Sequence, residues 1–315
     1  MTNIHNINSN HYAIVIGSAN MDICGAASNS FKIKDSNPGI ISMSAGGVAR
    51  NIAENLALLE CKCHLITAVG NDGFGISLVN KANAVGINTD KILKLENEKT
   101  STYLNIVDNT GEMISAISDM AIVDHITPEY IELHNEIIQK ASVIVLDTNI
   151  PEKTLSYIIN RFKEVPIIVD AASTVKAMKI KKHLSGIHSL KCNKIEAEAL
   201  SGIEDDLNAI INWFHQRGVV RVYITLGEEG AFYSENQTSA KITHQKQHCK
   251  VINVTGAGDA FTAGITYGLL NEWTIIKSIH FGMAAAVIAL NHIDTINPEM
   301  SIKKINRIME HEYDN

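Results

Sequence analysis

Cysteine is scarce in this chain and poorly spaced for cross-linking. Cys24, Cys61, Cys63, Cys192 and Cys249 make an odd count at irregular intervals, and the Cys61-x-Cys63 pair has no second pair to complete a zinc site. No disulfide framework follows, and reduced thiols in the cytoplasm are the expectation. No apolar run approaches the roughly 18 residues of a membrane span, so no membrane partner is expected. The opening MTNIHNINSN lacks both the basic and the apolar stretch of a secretory leader. Positive charge is also short: 27 Lys and Arg against 34 Asp and Glu leave a net −7. The basic residues are scattered apart from a cluster at Lys176, Lys179, Lys181 and Lys182, which reads as a solvated helix face. Nucleic acid is thereby excluded as a main partner, because polyanion binders carry a basic stripe and a high pI. No G-x-x-x-x-G-K-[ST] occurs, and Phe261 stands where a dinucleotide fingerprint beginning at Gly256-x-Gly258 wants its third glycine.

Apolar side chains are plentiful: 45% of 315 residues, enough for a substantial core. Short β-branched runs at Tyr12 to Gly17, His64 to Val69, Val143 to Asp147, Ile167 to Asp170 and Val219 to Leu226 predict strands. Between them Val48, Ile52, Leu56 and Leu59 share a helical face, in a helix running to about Glu60, and 128–140, 151–163 and 204–217 have the same period. Thr127-Pro128 and Ile150-Pro151 read as helix openings with proline at the first helical position. Strand and helix in alternation predict an α/β fold of three layers, a mostly parallel central sheet with helices on both faces. Two stretches break the rhythm. Residues 23–43 are expected to be irregular, and Thr100 to Asp119 reads as a hairpin around Asp108-Asn109-Thr110-Gly111. Together, 23–43 and 100–119 are read as a small β-rich lid on a main domain of 11–22, 44–99 and 120–312. An extra hairpin at the sheet edge is the alternative.

The segment most suggestive of chemistry is Asn253-Val-Thr-Gly-Ala-Gly-Asp259, expected to leave a strand at Val251-Ile252 and enter an apolar helix. Its glycines let the backbone turn so that free N–H groups at the helix start face an anion. Asp259 is placed to accept the proton of an attacking hydroxyl, and an ordinary carboxylate pKa suffices for that. A Gly-rich turn with Asp259 as a first-turn cap is the competing explanation. A second Gly-rich turn, Ala45-Gly46-Gly47-Val48-Ala49-Arg50-Asn51, opens the next helix; Asn51 offers a donor and an acceptor to a diol.

Gly17-Ser18-Ala19-Asn20-Met21-Asp22, Gly46-Gly47 with Asn51, Gly70-x-Asp72-x-x-Gly75, Asn193-x-x-Glu196 and Thr255-Gly-Ala-Gly-Asp259 occur in the order seen in the ribokinase-like (PfkB) carbohydrate kinases, which the chain resembles from about Tyr12 to about Asn297. The resemblance implies a ribokinase-like fold and an ATP- and Mg2+-dependent kinase with Asp259 as base and Gly256, Ala257 and Gly258 as anion hole. Asn20, Asp22, Gly46, Gly47 and Asn51 would hold sugar hydroxyls. Asn193 would serve the nucleotide, with Glu196 on the same helix face organising magnesium through water. Thr225-Leu226-Gly227-x-x-Gly230 resembles the turn that contacts the nucleotide, and a helix from about Ile276 to Leu290 would back the adenine. Family members often hold a monovalent cation such as K+ beside the anion hole; Asn253 and Thr255 are the matching residues, with Asn253 where many members carry Asp. A homodimer through the lid is also implied.

Within the family, Thr100 to Met120, Ser44 to Asn55 and Ser173-x-x-Lys176-Ala-x-Lys179-Ile-Lys181 are similar to the bacterial pseudouridine-phosphorylating members. Val48 stands where many ribokinases have Lys, and Asn149, a further substrate contact by position, replaces a Glu before Pro. Both changes remove charge, which suits a neutral nucleoside. The polar Thr102, Asn105, Ser115 and Ser118 are available to read a base. Phosphorylation of the 5′-hydroxyl of pseudouridine is the expected reaction. Ribose, other nucleosides or a fructose-type sugar are the alternative substrates, and a sugar-binding regulatory protein is the reading outside enzymes.

Overall fold

A computed structural model describes residues 11–235, 238–243 and 251–313. The first ten residues and Cys249 lie outside the described residues.

The chain begins with β1 (Ala13–Ile16), β2 (Asn20–Ala27), β3 (Gly39–Gly46) and α1 (Val48–Leu58), followed by β4 (Cys63–Ile66), β5 (Ala68–Gly70) and α2 (Gly73–Ala84). Then come β6 (Leu93–Leu95), β7 (Thr102–Val107), β8 (Met113–Asp119), α3 (Pro128–Glu132) and α4 (Asn135–Gln139). β9 (Val143–Asp147), α5 (Glu152–Arg161), β10 (Ile167–Asp170), α6 (Thr174–Ala177), β11 (Ser189–Asn193), α7 (Lys194–Ser201), α8 (Leu207–His215) and β12 (Arg221–Thr225) continue the alternation. β13 (Ala231–Glu235), β14 (Thr238–Ile242), α9 (Ala257–Leu270), α10 (Ile275–Leu290) and α11 (Ile302–Tyr313) complete it.

The main sheet has eight strands in the order β14-β13-β12-β11-β10-β9-β1-β4. Its pairs from β12 to β4 are parallel, and β13 and β14 add an antiparallel edge. Side chains alternate across the sheet, so Ala13 and Val15 of β1 join a core beneath α1, α2, α9 and α10, while Ile14 and Ile16 join a second core against α3, α4, α5, α7 and α8. The fold is therefore the expected three-layer α/β arrangement, and buried parallel strands explain why their sequences read as continuous apolar runs. Among the described residues no helix is long and apolar enough to cross a membrane.

Four strands form a separate sheet in the order β3-β2-β7-β8. Residues 23–43, expected to be irregular, hold most of β2 and β3, which pair in register from Asn20↔Gly46 to Ala27↔Gly39. The mixed polar and small residues of these strands hide their periodicity. The two faces differ in chemistry. Met43, Ile23, Leu104 and Ile117 form one cross-strand row; Ile41 and Ile106 extend it. Ile41, Met43 and Ile117 of that face are 75%, 61% and 66% exposed. The opposite face carries Asp22, Ser44, Tyr103 and Ser118.

Three further boundaries differ from expectation. The 128–140 helix is interrupted at Leu133 and His134 and becomes α3 and α4. Pro151 is the cap of α5 rather than its first residue, whereas Pro128 does open α3 behind Thr127, whose Oγ1 accepts from Tyr130 N. Val251 and Ile252 form no strand; Ile252 N donates to Leu290 O at the end of α10.

Candidate active site

The C-terminal edge of the parallel sheet gathers polar residues: Ser18 follows β1, and Asp147, Asp170, Asn193 and Thr225 end β9, β10, β11 and β12. This is the edge at which open α/β sheets take ligands.

Helix α9 starts above that edge. Asn253 shapes the approach: its Oδ1 accepts from Thr255 N at 2.9 Å and its Nδ2 donates to Ile293 O at 2.9 Å. Gly256 then turns with φ +84°, and a Cβ there would meet Thr295 O at 2.2 Å, so a side chain is excluded twice over. A Cβ at Gly258 would lie 2.8 Å from Lys191 Nζ. The cradle thus brings the first backbone N–H groups of an apolar helix close to a buried ammonium, an arrangement suited to an anion.

Asp259 sits one turn in. Its Oδ2 accepts from Asn51 Nδ2 at 2.8 Å. Asp170 lies on the sheet below, accepting from Lys191 Nζ at 3.1 Å and from Thr262 Oγ1 at 2.7 Å. The Asp259 carboxyl is only partly open to solvent. Burial, reinforced by Asp170 and opposed by Asn51 and Lys191, pushes it up to about 7. The ordinary carboxylate pKa expected from sequence is thereby corrected, because the sequence reveals neither how deeply the carboxyl is buried nor that Asp170 lies beside it. Lys191 is held above its usual value: burial works against its charge, but Asp170, Asp259 and Glu196 outweigh it.

On the other side of Asn51 lies the β2–β3 pair. Asn20 Nδ2 donates to Asp22 Oδ1 at 2.5 Å. Gly46 faces Asp22 so closely that a Cβ would fall 2.0 Å from its Oδ2, and Gly47, at φ +99°, caps α1. Burial raises the Asp22 pKa, against the opposing effects of Asn20 and Arg50. Asn149 is held by neighbours from three parts of the chain. Its Nδ2 donates to Ser18 Oγ at 3.0 Å, its Oδ1 accepts from Lys176, and its N donates to Asp147 Oδ1 at 2.8 Å. Lys179 Nζ donates to the carbonyls of Thr148, Asn149 and Ile150. Lys176 and Lys179 are therefore not a solvated face; they bind the loop after β9. Of the polar strand residues, Asn105 and Ser118 share the Asp22 face, while Thr102 and Ser115 fall on the apolar side.

Asn193 and Glu196 form a capping box at α7: Asn193 Oδ1 accepts from Glu196 N, and Glu196 Oε2 from Asn193 N, both at 2.8 Å. That leaves Glu196 Oε1 outside the box. Glu196 is 5% exposed and burial raises its pKa. A carboxylate so placed fits Mg2+, which keeps most of its waters and takes few protein ligands. Thr225 ends β12, and its Oγ1 reaches Cys192 O at 3.5 Å; Gly227, at φ +61°, begins the turn to β13.

Sequence reasoning missed Lys191, Asp147, Asp170 and the role of Arg50. The signal for the acids was a terminal Asp closing an apolar strand run; for Lys191 it was a lone lysine inside one. Arg50 stands within the quoted Gly-Gly turn, and its burial at 4% exposure has no sequence signature.

The family model described as pfkB family carbohydrate kinase matches residues 10–302. The chain is 43% identical over 307 residues to a pseudouridine kinase of Escherichia coli (strain K12), covering 95% of this chain and 96% of that protein. It is 27% identical to a guanosine-inosine kinase of Exiguobacterium acetylicum, over 91% and 97% of the two chains. The structure of Arabidopsis thaliana ribokinase complexed with ribose and ATP superposes with a TM-score of 0.85 at 22% identity, covering 95% of this chain and 99% of that one, a likeness of fold.

Proposed function

Since this chain belongs to the pfkB family of carbohydrate kinases and is a phosphotransferase with an alcohol group as acceptor, we propose that it moves the γ-phosphoryl group of ATP to the 5′-hydroxyl of pseudouridine. The observation that carries this reading is the Asn51 to Asp259 hydrogen bond, which joins the sugar-side turn to the anion cradle. Asp22, Asn20 and Asn51 would bracket the ribose, with Gly46 and Gly47 allowing close approach. Asp259 would take the 5′-hydroxyl proton as its oxygen attacks phosphorus and the bond to ADP breaks. The N–H groups of Gly256, Ala257 and Gly258 would stabilise charge on the transferring group, helped by Lys191 beneath Gly258. Magnesium, held through water by Glu196 near Asn193, would supply neutralisation of phosphate charge. Thr225 and Gly227 would contact the nucleotide, and Asn253 and Thr255 would flank a K+ ion, although their side-chain and backbone groups already bond one another.

Pseudouridine is favoured over ribose by the 43% identical relative's own substrate and by the uncharged Val48 where many ribokinases have Lys. Asn105, Ser118 and Tyr103 on the Asp22 face are the side chains offered to its base. We read the four-stranded sheet as a lid that excludes water, since water would otherwise compete for the phosphoryl group. Its exposed apolar face is read as the contact with a second copy of this chain, in the cytoplasm. A coupled ADP-release assay over pseudouridine, uridine, adenosine, ribose and fructose tests the proposal: pseudouridine should give the highest kcat/KM. A higher value for another compound reassigns the substrate, and no turnover beside ligand-induced thermal stabilisation supports a binding protein instead.

A further inference from the structure

Asn51 can steady Asp259 only with its amide nitrogen turned toward the carboxylate, and the amide itself has no preference between its two orientations. The structure supplies the preference. Arg50 Nη1 donates to Asn51 Oδ1 at 3.0 Å, which commits the oxygen to that side and leaves Nδ2 for Asp259. The same Nη1 donates to Ala45 O at 2.8 Å, beside the Gly46-Gly47 turn. The Nη2 is paired with Glu54, one helical turn along α1, and Arg50 as a whole is 4% exposed.

We propose that Arg50, anchored by Glu54, is a positioning residue for the reaction: it holds the Asn51 amide so that its NH2 group faces Asp259, and ties that orientation to the sugar-side turn. The inference rests on reading Asp259 as the base. With Arg50 removed, the amide is free to turn its oxygen toward Asp259 whenever that carboxyl is protonated and to accept its O–H, which favours the neutral acid over the ionised form that has to take the proton. Burial lowers the Arg50 pKa to about 10, so the guanidinium is still charged at neutral pH. The other charged groups that act on Asp259 are Asp147 from β9, Asp170 from β10 and Lys191 from β11; Asp22 also acts on Arg50, and Glu196 on Lys191. Lys191, paired with Asp170, acts on Asp259 from the β11 side, and Arg50 is the cation on the Asn51 side of the base.

The test compares Arg50→Met, Arg50→Lys, Glu54→Gln and Asp259→Asn in the full chain, measuring kcat and the pH dependence of kcat/KM for the nucleoside. Arg50→Met is expected to lower kcat about 100-fold, the scale of a small misplacement at a reacting centre. Its acid limb should move up by about one pH unit, as expected for loss of a nearby opposite charge. Arg50→Lys should restore part of kcat, and Glu54→Gln should shift the limb the same way by less. A purely structural arginine would lower the melting temperature and the active fraction without moving the limb. If Arg50→Met does not fold, Glu54→Gln carries the comparison. An unmoved limb with kcat within twofold of wild type, in whichever variant folds, overturns the relay. Full activity in Asp259→Asn is a separate result: it removes the base reading, and the relay with it.

Discussion

Asn51 Nδ2 and Asp259 Oδ2 stand 2.8 Å apart although 208 positions separate the residues in sequence. Each lies in the first turn of a helix behind a glycine turn, one after β3 and the other after the Asn253 turn. On the proposed reading, the bond is where the two halves of the reaction meet. It also sets what an experiment on either residue can report.

Replacing Asp259 by Asn keeps the shape and removes the basicity. Turnover should fall by about 10²- to 10⁴-fold, the usual worth of a general base. The KM for the nucleoside should change little, because the interaction is realised in the transition state. Steady-state kinetics under saturating ATP checks it; an undiminished kcat would remove Asp259 as the base.

The pH profile follows from the raised carboxyl. With Asp259 near 7, kcat/KM should climb as pH rises through about 7 and level off above it. Stability moves the other way. A carboxyl whose folded pKa exceeds its unfolded one binds protons more tightly when folded, so its contribution is complete below the unfolded value and disappears as pH rises through the folded one. Asp259→Asn should therefore melt above wild type at pH 8, with the gap closing toward pH 4; equal melting curves at both pH values would contradict the shift.

Gly256→Ala asks for a side chain where φ is +84° and Thr295 O waits at 2.2 Å. The turn must distort, and the N–H groups behind it lose their aim. A loss of about 10²- to 10³-fold in kcat is expected, the scale of an oxyanion donor. Gly46→Ala, crowding Asp22 instead, should raise the nucleoside KM while leaving the ATP KM near its original value.

Lys191→Met leaves Asp170 buried without its cation. Breaking such a pair costs about 3–5 kcal/mol, which chemical denaturation would register as a large drop in midpoint. A loss under 1 kcal/mol would mean that Asp170 finds another partner or a proton.

Met43→Asp or Ile117→Glu places charge on the exposed apolar row of the four-stranded sheet. If two copies meet there, sedimentation should show wild type at twice the mass of either variant. A monomeric wild type would refute the contact.

The framework was readable because its physics is local. Val143 to Asp147 and Ile167 to Asp170 are apolar β-branched runs, and their strands begin and end where the sequence indicates. Glycine pairs before helices were equally legible. By contrast, β2 and β3 mix Gly, Ala, Ser and Asn, and their pairing becomes visible only across the turn. The elevated carboxyl of Asp259 arises from burial and from Asp170, against the opposing Lys191, and both residues reach it through strand order rather than through nearness in sequence. The lysines that engage Asn149 follow the next strand, β10, about 30 residues on, so their contact with the loop after β9 is not visible along the sequence.

Helix α9 abuts α10 with almost nothing in between: a Cβ on Gly264 would lie 2.6 Å from Gly282 Cα, and one on Gly268 would strike Ser278. Two backbones in such contact cannot slide or roll past each other without collision. The helix that bears Asp259 is in effect bolted to its neighbour. If Asp259 is the base, whatever travel a catalytic cycle demands must be made by the pieces that approach it, and its carboxylate serves as the fixed point from which their displacement is measured.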